Sequence, residues 1–412
     1  MSNERHGAGI CEVCGNTSLH PVLDLGSHPM CDDLVAINEQ RTCVEYPIEI
    51  LFCKTCFTAH QRFQVPKRDL FPQTYHYRSR FTSDVLNGMR ELVDACGKRV
   101  GGLTQLKVLD IGCNDGSLLN FFRDKGAVTF GIEPTGACQD AVQQGHTVFN
   151  DFLSPDVAQR FVSQHGQPDV ISFTNVFAHI ENLAEVVQSL RILMAPKTLL
   201  IIENHYLGSV LKTNQFDTFY HEHPRTYSFT SFVHIAESLG ARLIAVEFPS
   251  RYGGNIRVMI GGMDWADRGS VPDPELKRIE QGFFDAFADL RRRVEDWRLA
   301  KRAFIDGHVA RFGKLRAKAF PGRAAILIKL LGLGTESISA VYEKPGSMKI
   351  GHFLPGTRIP IRSDDELFAL ADQEQPLLNL AWHIPAEIRT YLGQHGYGGP
   401  IVDILSQKDF AG

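Results

Sequence analysis

The stretch KVLDIGCNDGSLLNFFRDKG, residues 107–126, decides the fold of this chain. Its first residues have the composition of a buried strand, and its last residues have the apolar spacing of a helix. The two are joined by a turn that contains Gly112 and Gly116. Glycine lets the backbone turn sharply and approach a ligand closely, and the start of the following helix favours an anion. The stretch therefore predicts a strand–loop–helix unit that binds a small molecule.

Further short apolar runs, AVTFGIE, DVISFTNV and LLIIEN, follow with helical segments between them, and an amphipathic helix is expected at about 80–105. This alternation predicts an α/β fold with a parallel sheet covered on both faces. Apolar residues spaced by threes and fours predict one packing helix over 274–297, from Leu276 and Ile279 to Trp297. Beyond it, SISAVYE and PLLNLAW predict strands of a smaller α/β lobe.

The residues after the first two strands indicate the ligand. A second strand ends in Glu133-Pro134, about twenty residues after the loop, where an acidic residue accepts hydrogen bonds from both ribose hydroxyls. The loop lacks the third glycine of dinucleotide binders, which favours S-adenosylmethionine over NAD; the alternative is ordinary tight turns. The remaining predicted cofactor contacts lie in the loop and at later strand ends: Asp110, Gly112, Asn114, Asp115, Gly116, Asp151, Phe152 and Asn175.

Four of the nine cysteines form two CxxC pairs, Cys11 with Cys14 and Cys53 with Cys56. In a long chain that begins without an export signal, such pairs are typical of metal ligands rather than disulfides. Four thiolates fill the tetrahedral sphere of zinc, so we expect one structural Zn²⁺ per chain and no catalytic metal. The alternative is a set of reduced, buried cysteines without metal.

Composition excludes several partners. The chain has 43% hydrophobic and 22% charged residues and a formal net charge of −4, which is typical of a globular enzyme without a strong attraction to nucleic acid or anionic lipid. Its longest apolar stretch is short and contains Lys329. We therefore expect a cytoplasmic protein that binds neither nucleic acid nor membrane. Separately from composition, a monomer is expected rather than an oligomer.

The segment FDTFYHEHPRTYS, residues 216–228, is rich in groups that move protons. Tyr220, His221, Glu222 and His223 are consecutive, and imidazoles ionise near neutral pH, so either histidine is a candidate base. Glu222 is suited to orient an imidazole or to hold a sugar hydroxyl. The alternative is that the cluster only satisfies loop backbone.

At this point the chain resembles the bacterial deoxysugar C-methyltransferases, which act on nucleotide-linked sugars and carry an N-terminal zinc-binding domain. The resemblance covers nearly the whole chain and rests on both CxxC pairs, VLDLG, IGCNDGSLL, GIEP, NVFAHI, FDTFYHEH and LPGTRIPI. It implies a zinc-binding domain at 1–75, a Rossmann-like methyltransferase domain at 76–265, and a helical linker with a C-terminal Rossmann-like substrate lobe at 266–412.

The resemblance also implies the reaction and its residues. A methyl group is added to the carbon beside the ketone of a 4-keto-6-deoxy sugar, C3 in this family, through an enolate. His223 is the implied general base, and Tyr220, Glu222 and His179 are the other implied catalytic residues. The implied substrate contacts are Tyr75 or Tyr77, His221 and Tyr206.

Several stretches depart from the family pattern, and two of them bear on the site. The usual EFPY is Glu203-Asn204-His205-Tyr206, which adds an imidazole near the site. The glycine-rich GAxxKG stretch thought to meet the nucleotide diphosphate is replaced by PGRAAILIKLLG, residues 321–332. Arg323 and Lys329 are either compensating contacts or ordinary surface charges.

Three other functions remain open at this point. The same residues serve methylation on oxygen or nitrogen, with His223 removing a proton from a hydroxyl. A zinc module also occurs in RNA-binding methyltransferases, although no basic stretch is present. The last alternative is a cofactor-binding subunit without catalytic activity.

Overall fold

The computed structural model describes residues 6–7, 9–73, 75, 77–81, 83–262, 264–265 and 274–410. The expected domain boundaries after residues 75 and 265 adjoin residues 76 and 266, which lie outside the described residues, and the three-domain division stays a prediction. The chain separates into two compact units: Met1–Pro21, Leu51–Val210 and Glu222–Phe284 form the first, and Val22–Ile50, Leu211–His221 and Asp285–Gly412 form the second.

The N-terminal part consists of strands and one short helix, and YPIEILFC lies in a strand that leads into the second CxxC, as predicted. The elements are β1 (His6–Gly7), β2 (Leu19–Pro29), β3 (Val35–Ala36), β4 (Glu45–Cys53), β5 (Ala59–Gln61), β6 (Phe63–Gln64) and α1 (Lys67–Leu70). β1 pairs with β6, antiparallel.

The central part has the predicted alternation of strands and helices. Its elements are α2 (Ser83–Val100), β7 (Lys107–Ile111), α3 (Ser117–Asp124), β8 (Val128–Ile132), α4 (Cys138–Gln143), β9 (Thr147–Phe149), α5 (Pro155–His165), β10 (Val170–Thr174), α6 (Leu183–Leu193), β11 (Leu199–His205), α7 (Leu207–Lys212), β12 (Arg225–Thr226), α8 (Phe229–Ser238), β13 (Arg242–Glu247) and β14 (Asn255–Gly261).

A seven-stranded sheet with the order β13-β14-β11-β10-β7-β8-β9 forms the centre of the first unit. Every pairing is parallel except those of β14, which runs against both neighbours. The strand order reverses between β7 and β10, and ligands of open α/β sheets bind at such a point, at the carboxyl ends of the strands. α2 buries the expected face, with Val85, Met89, Leu92 and Val93 packed on the sheet.

The C-terminal part contains α9 (Pro274–Glu280), α10 (Phe283–Phe312), β15 (Leu315–Lys318), α11 (Ala324–Leu330), β16 (Ile338–Glu343), β17 (His352–Phe353), β18 (Ile361–Ser363), α12 (Asp364–Phe368), β19 (Leu377–Asn379), α13 (Pro385–Gln394) and β20 (Ile401–Asp403). A parallel five-stranded sheet of the second unit has the order β18-β16-β15-β19-β20. The expected strands SISAVYE and PLLNLAW are β16 and β19, which confirms the second α/β sheet.

The expected single helix over 274–297 is two helices. Gly282 lies between α9 and α10, and glycine weakens a helix because its backbone has the most freedom to lose. Leu290 and Trp297 of α10 are buried as predicted, but Ile279 of α9 is 47% exposed. The predicted apolar face is therefore correct for α10 and wrong for Ile279.

Among the helices of the described ranges, none combines the length and the apolar character that a membrane crossing requires.

Candidate active site

The four CxxC cysteines meet in one cluster. Their sulfur atoms all lie within 4.8 Å of one another, with 3.4 Å between Cys11 Sγ and Cys56 Sγ and 3.6 Å between Cys14 Sγ and Cys53 Sγ. Sulfur ligands 2.3 Å from one zinc ion are roughly 3.8 Å apart, so the spacing fits a tetrahedral site. The hydrogen bond with Cys11 is the largest cause that raises the pKa of Cys56, because closely packed thiols cannot all ionise without a cation. The donor set and its spacing thus fit zinc.

The cofactor loop connects β7 to α3 in a left-handed conformation. The φ angles are +71° at Gly112, +50° at Asn114 and +79° at Gly116. A Cβ on Gly112 would lie 2.6 Å from a methyl carbon of Val176, which follows β10. The glycine is therefore needed both for the turn and for the close approach of the loop to the end of β10.

Glu133, at the end of β8, is held by this loop. One carboxylate oxygen accepts from the backbone N of Asn114 at 2.9 Å, and the other accepts from the backbone N and hydroxyl of Thr135 at 2.8 and 2.6 Å. Burial raises the pKa of Glu133. A carboxylate has about four acceptor positions, so one remains for a ligand. The assignment of this carboxylate to the two ribose hydroxyls stays a prediction.

Two more predicted acids lie beside the loop. Burial raises the pKa of Asp110 to about 7, and its carboxylate accepts from the Ser172 hydroxyl at 2.7 Å. Asp115 is fully buried and accepts from the Ser117 hydroxyl at 2.6 Å and from the backbone N of Arg80 at 3.0 Å. Asp115 therefore helps to hold the conformation of the loop, whereas Asp110 links β7 to β10.

The other predicted cofactor residues lie at neighbouring strand ends. Asn175, with φ +55°, directly follows β10, and its backbone N donates to the Glu203 carbonyl at 2.8 Å. Asp151 and Phe152 follow β9, and Asp151 is exposed. The Pro134 carbonyl accepts a hydrogen bond from the Gln73 side chain. Hydrogen-bond acceptors, a closely approaching backbone and an aromatic ring thus surround the loop. This combination of groups fits S-adenosylmethionine.

Sequence reasoning missed residues before α2 that also contact the loop. Ser79 donates its backbone N to the Asn114 side chain at 3.1 Å, and the Asn114 amide donates to the Tyr77 carbonyl at 3.2 Å. Arg78 donates to Asp140 at 2.8 Å. The two arginines in YHYRSR, Arg78 and Arg80, were the only sign in the sequence that this segment has acidic partners, but nothing in the sequence indicates which residues these partners are.

Three imidazoles meet at the carboxyl ends of β10 and β11. The ring centroid of His223 lies 4.8 Å from that of His179 and 5.6 Å from that of His205. His179 Nδ1 lies 2.8 Å from the carbonyl oxygen of Glu222, so Nδ1 carries the proton. Burial lowers the pKa of His179 to about 4. His179 is therefore neutral near pH 7.

Glu222 and Tyr75 contact each other beside these rings. The Tyr75 hydroxyl donates to a Glu222 carboxylate oxygen at 3.2 Å, and Tyr75 packs edge-on against Phe71, which also packs against His179. Of the two candidate tyrosines, Tyr75 contacts the predicted motif, whereas Tyr77 is 45% exposed.

The remaining predicted substrate residues have protein partners. The Tyr206 hydroxyl donates to Glu280 at 3.0 Å. Tyr220 and His221 belong to the second unit. There, His221 Nε2 donates to the Tyr46 carbonyl at 3.0 Å, and burial lowers the pKa of His221 to about 4. These partners leave less capacity for a substrate than the sequence suggests.

Residues 203–204 carry a second feature missed at the sequence level. Glu203 is fully buried and accepts from Arg257 Nε at 2.7 Å, from Asn255 at 3.0 Å and from Arg251. The neighbouring Asn204 is 1% exposed, and neither atom of its amide has a hydrogen-bond partner within the described part of the chain. The departure from EFPY thus creates a buried polar group.

Arg323 and Lys329 form ion pairs within the second unit. Arg323 Nε lies 3.3 Å from a carboxylate oxygen of the buried Asp217, which also accepts from Trp382 Nε1 at 2.8 Å. Lys329 pairs with Glu45 at 2.5 Å. Both charges have partners within the protein.

Three family models match the chain in succession: "Putative zinc binding domain" over residues 11–71, "Methyltransferase domain" over 76–246, and "C-methyltransferase C-terminal domain" over 252–401. The C-methyltransferase NovU of Streptomyces niveus is 29% identical over 390 residues, which cover 92% of this chain and 90% of that protein. A ubiquinone biosynthesis O-methyltransferase of Acinetobacter baumannii is 29% identical over 103 residues, 24% of this chain and 44% of that protein.

Solved structures are similar to part of the chain. Magnesium protoporphyrin IX methyltransferase of Synechocystis, with bound SAH, has 20% identity and a TM-score of 0.35 and covers 43% of this chain and 84% of that chain. The plantazolicin methyltransferase BpumL has 14% identity and a TM-score of 0.36 and covers 44% and 87%.

The predicted enzyme class and cofactors are confirmed: the chain is a methyltransferase that uses S-adenosylmethionine, and its four-cysteine cluster is a zinc site. Its domain models follow one another over residues 11–401, and the relative matched over nearly the whole of both chains is a C-methyltransferase. The chain is therefore a methyltransferase with a zinc-binding N-terminal domain, and it is similar over nearly its whole length to a C-methyltransferase.

Proposed function

We propose that this enzyme methylates the carbon beside the ketone of a nucleotide-linked 4-keto-6-deoxy sugar, with His223 as the general base. The carbon proposed is C3, as the family resemblance implies. The observation that carries the proposal is the group of three imidazoles at the end of β10 and β11, next to the Glu222 carboxylate and the Tyr75 hydroxyl.

His223 is the imidazole best suited to accept the proton. A hydrogen on the carbon beside a ketone becomes acidic because the enolate that forms carries its charge on oxygen, and a nearby base speeds its removal. His179, with a pKa of about 4, stays neutral and does not repel the imidazolium that forms on His223. The imidazolium that forms on His223 therefore has no positive charge on the neighbouring ring of His179.

Glu222 and Tyr75 are suited to orient the sugar. The carboxylate accepts hydrogen bonds from hydroxyl groups, and the Tyr75 hydroxyl both donates and accepts. Fixed contacts of this kind hold the reacting carbon in place and lower the entropy that the reaction must lose. S-adenosylmethionine supplies a methyl group on a positively charged sulfur, which needs no further activation by a metal.

The test combines a mass measurement with proton exchange. The enzyme is incubated in heavy water with dTDP-, GDP- or CDP-linked 4-keto-6-deoxy sugars, with and without S-adenosylmethionine. We expect exchange at the carbon beside the ketone without the cofactor, and a gain of one methyl group with it. His223→Ala should lose both, whereas His234→Gln, which changes a half-buried imidazole on α8, should lose neither.

Methylation without any exchange at carbon, in wild type and variants alike, would contradict the proposed mechanism and favour transfer to oxygen or nitrogen. Full exchange and methylation by His223→Ala would show that another group is the base.

A further inference from the structure

The segment that follows the proposed base is bonded to the four-cysteine cluster. β12, which begins two residues after His223, pairs antiparallel with β5, which begins three residues after Cys56. The backbone N of Gln61 donates to the Pro224 carbonyl at 2.8 Å, and the Ser228 hydroxyl donates to the Cys56 carbonyl at 2.9 Å. The zinc site and the reacting segment thus share one network of hydrogen bonds.

Arg225 is the centre of this network. Its side chain is completely buried, and its guanidinium donates to the Glu12 carboxylate and to the Ile180 carbonyl. The same guanidinium lies 3.3 Å from the Glu181 carbonyl, and its Nε donates to the Tyr227 hydroxyl at 3.1 Å. A buried charge is costly without partners, and these partners fix the guanidinium in one position.

The partners of Arg225 come from the two sites that it joins. Glu12 stands between the zinc ligands Cys11 and Cys14 and also accepts from Gln64 at 3.2 Å. The two carbonyls belong to the residues directly after His179, whose ring lies against that of His223. A shift of Glu12 is therefore transmitted through one rigid, planar group to the turn that holds His179.

We propose that Arg225 is a positioning residue of the reaction, and that the zinc site, through Glu12, holds His179 and His223 in the geometry that proton transfer requires. The proposal rests on the proposed function of His223. It assigns to the zinc site a role in catalysis without contact to substrate. Because a misplacement of about 1 Å can cost on the order of 100-fold in rate, small shifts in this network are expected to appear in kcat.

The test uses Glu12→Gln and Arg225→Lys in the full chain, with Glu185→Gln as matched control. Glu185, on helix α6, also pairs with the N-terminal part, through Lys67 at 3.4 Å, but this pair is partly exposed. We expect kcat to fall about tenfold for Glu12→Gln and about 100-fold for Arg225→Lys. The control should keep kcat, and all three should keep one zinc per chain and the Kd for S-adenosylmethionine within about twofold.

Three results would overturn the proposal: kcat of Glu12→Gln equal to that of the control, a Kd for S-adenosylmethionine that weakens in parallel with kcat, or zinc loss that accounts for the whole effect. If Arg225→Lys does not fold, Glu12→Gln alone decides. His223→Ala is measured in parallel, so that an error in the assignment of the base is recognised separately from an error in the role of Arg225.

Discussion

Replacement of Glu133 by glutamine tests the cofactor site at one atom. The carboxylate accepts three hydrogen bonds from the protein, from Asn114 and Thr135, and keeps about one acceptor position, which we expect the ribose to use. In Glu133→Gln one carboxylate oxygen is replaced by an NH₂ group, which cannot accept a hydrogen bond. This group either faces an N–H donor of the protein or takes the acceptor position that was free for the ligand. Because a hydrogen bond to a charged group contributes about 1.5–3 kcal/mol, we expect the Kd for S-adenosylmethionine to rise about 10- to 100-fold.

Isothermal titration with S-adenosylhomocysteine measures this loss without turnover. Asp94→Asn is the matched control, because Asp94 is an exposed carboxylate that pairs with Lys125. It should bind as the wild type does. Thermal unfolding of both variants shows whether a weaker Kd has another cause.

The same assignment also predicts in which direction the affinity for the cofactor changes with pH. Burial raises the pKa of Glu133 above its usual value. The wild-type carboxylate is therefore protonated, and affinity lost, as the pH falls through this raised pKa, whereas Glu133→Gln has no such loss. An unchanged Kd for the folded variant, or an identical acidic decrease in both proteins, would refute the assignment of Glu133 to the ribose.

Three further outcomes follow from the structure. Gly112→Ala, strained by the positive φ and by Val176 at 2.6 Å, should abolish cofactor binding in a titration, whereas Gly307→Ala, with open space around it, should leave binding unchanged. Asp110 has a folded-state pKa of about 7 against an ordinary 3.8, so stability should fall as the pH rises from about 4 to about 7, by up to roughly 4 kcal/mol, and then level off, and Asp110→Asn should flatten this slope in urea unfolding. Removal of zinc with a chelator should lower the unfolding temperature, and Cys56→Ser should lower it without chelator.

The local patterns of the sequence predicted much of the fold and part of the site. β7, the loop and α3 lie where residues 107–126 indicated, because strand and helix periods and glycine turns are properties of neighbouring residues. Each CxxC pair is also a local pattern, and the preference of zinc for four ligands predicted that the two pairs meet. The position of Glu133 was also predictable, since it follows the strand next to β7.

The polar networks could not be predicted from the sequence. Arg225 and Glu12 are 213 residues apart, and Glu203 meets Arg251 and Arg257 about fifty residues later. No period links such residues, and only the folded sheet brings them together. The hydrogen bonds of His179 were unpredictable too, since its tautomer depends on the Glu222 carbonyl.

The division into two units has a practical consequence for any attempt to dissect the enzyme. The chain passes from one unit to the other after Pro21, Ile50, Val210, His221 and Phe284. Neither unit is a continuous piece of sequence, so truncation at a linker cannot release either of them intact. Chimeras that exchange one unit between homologues must therefore exchange three separate segments, and one of the seams falls within the reactive motif, between His221 and Glu222.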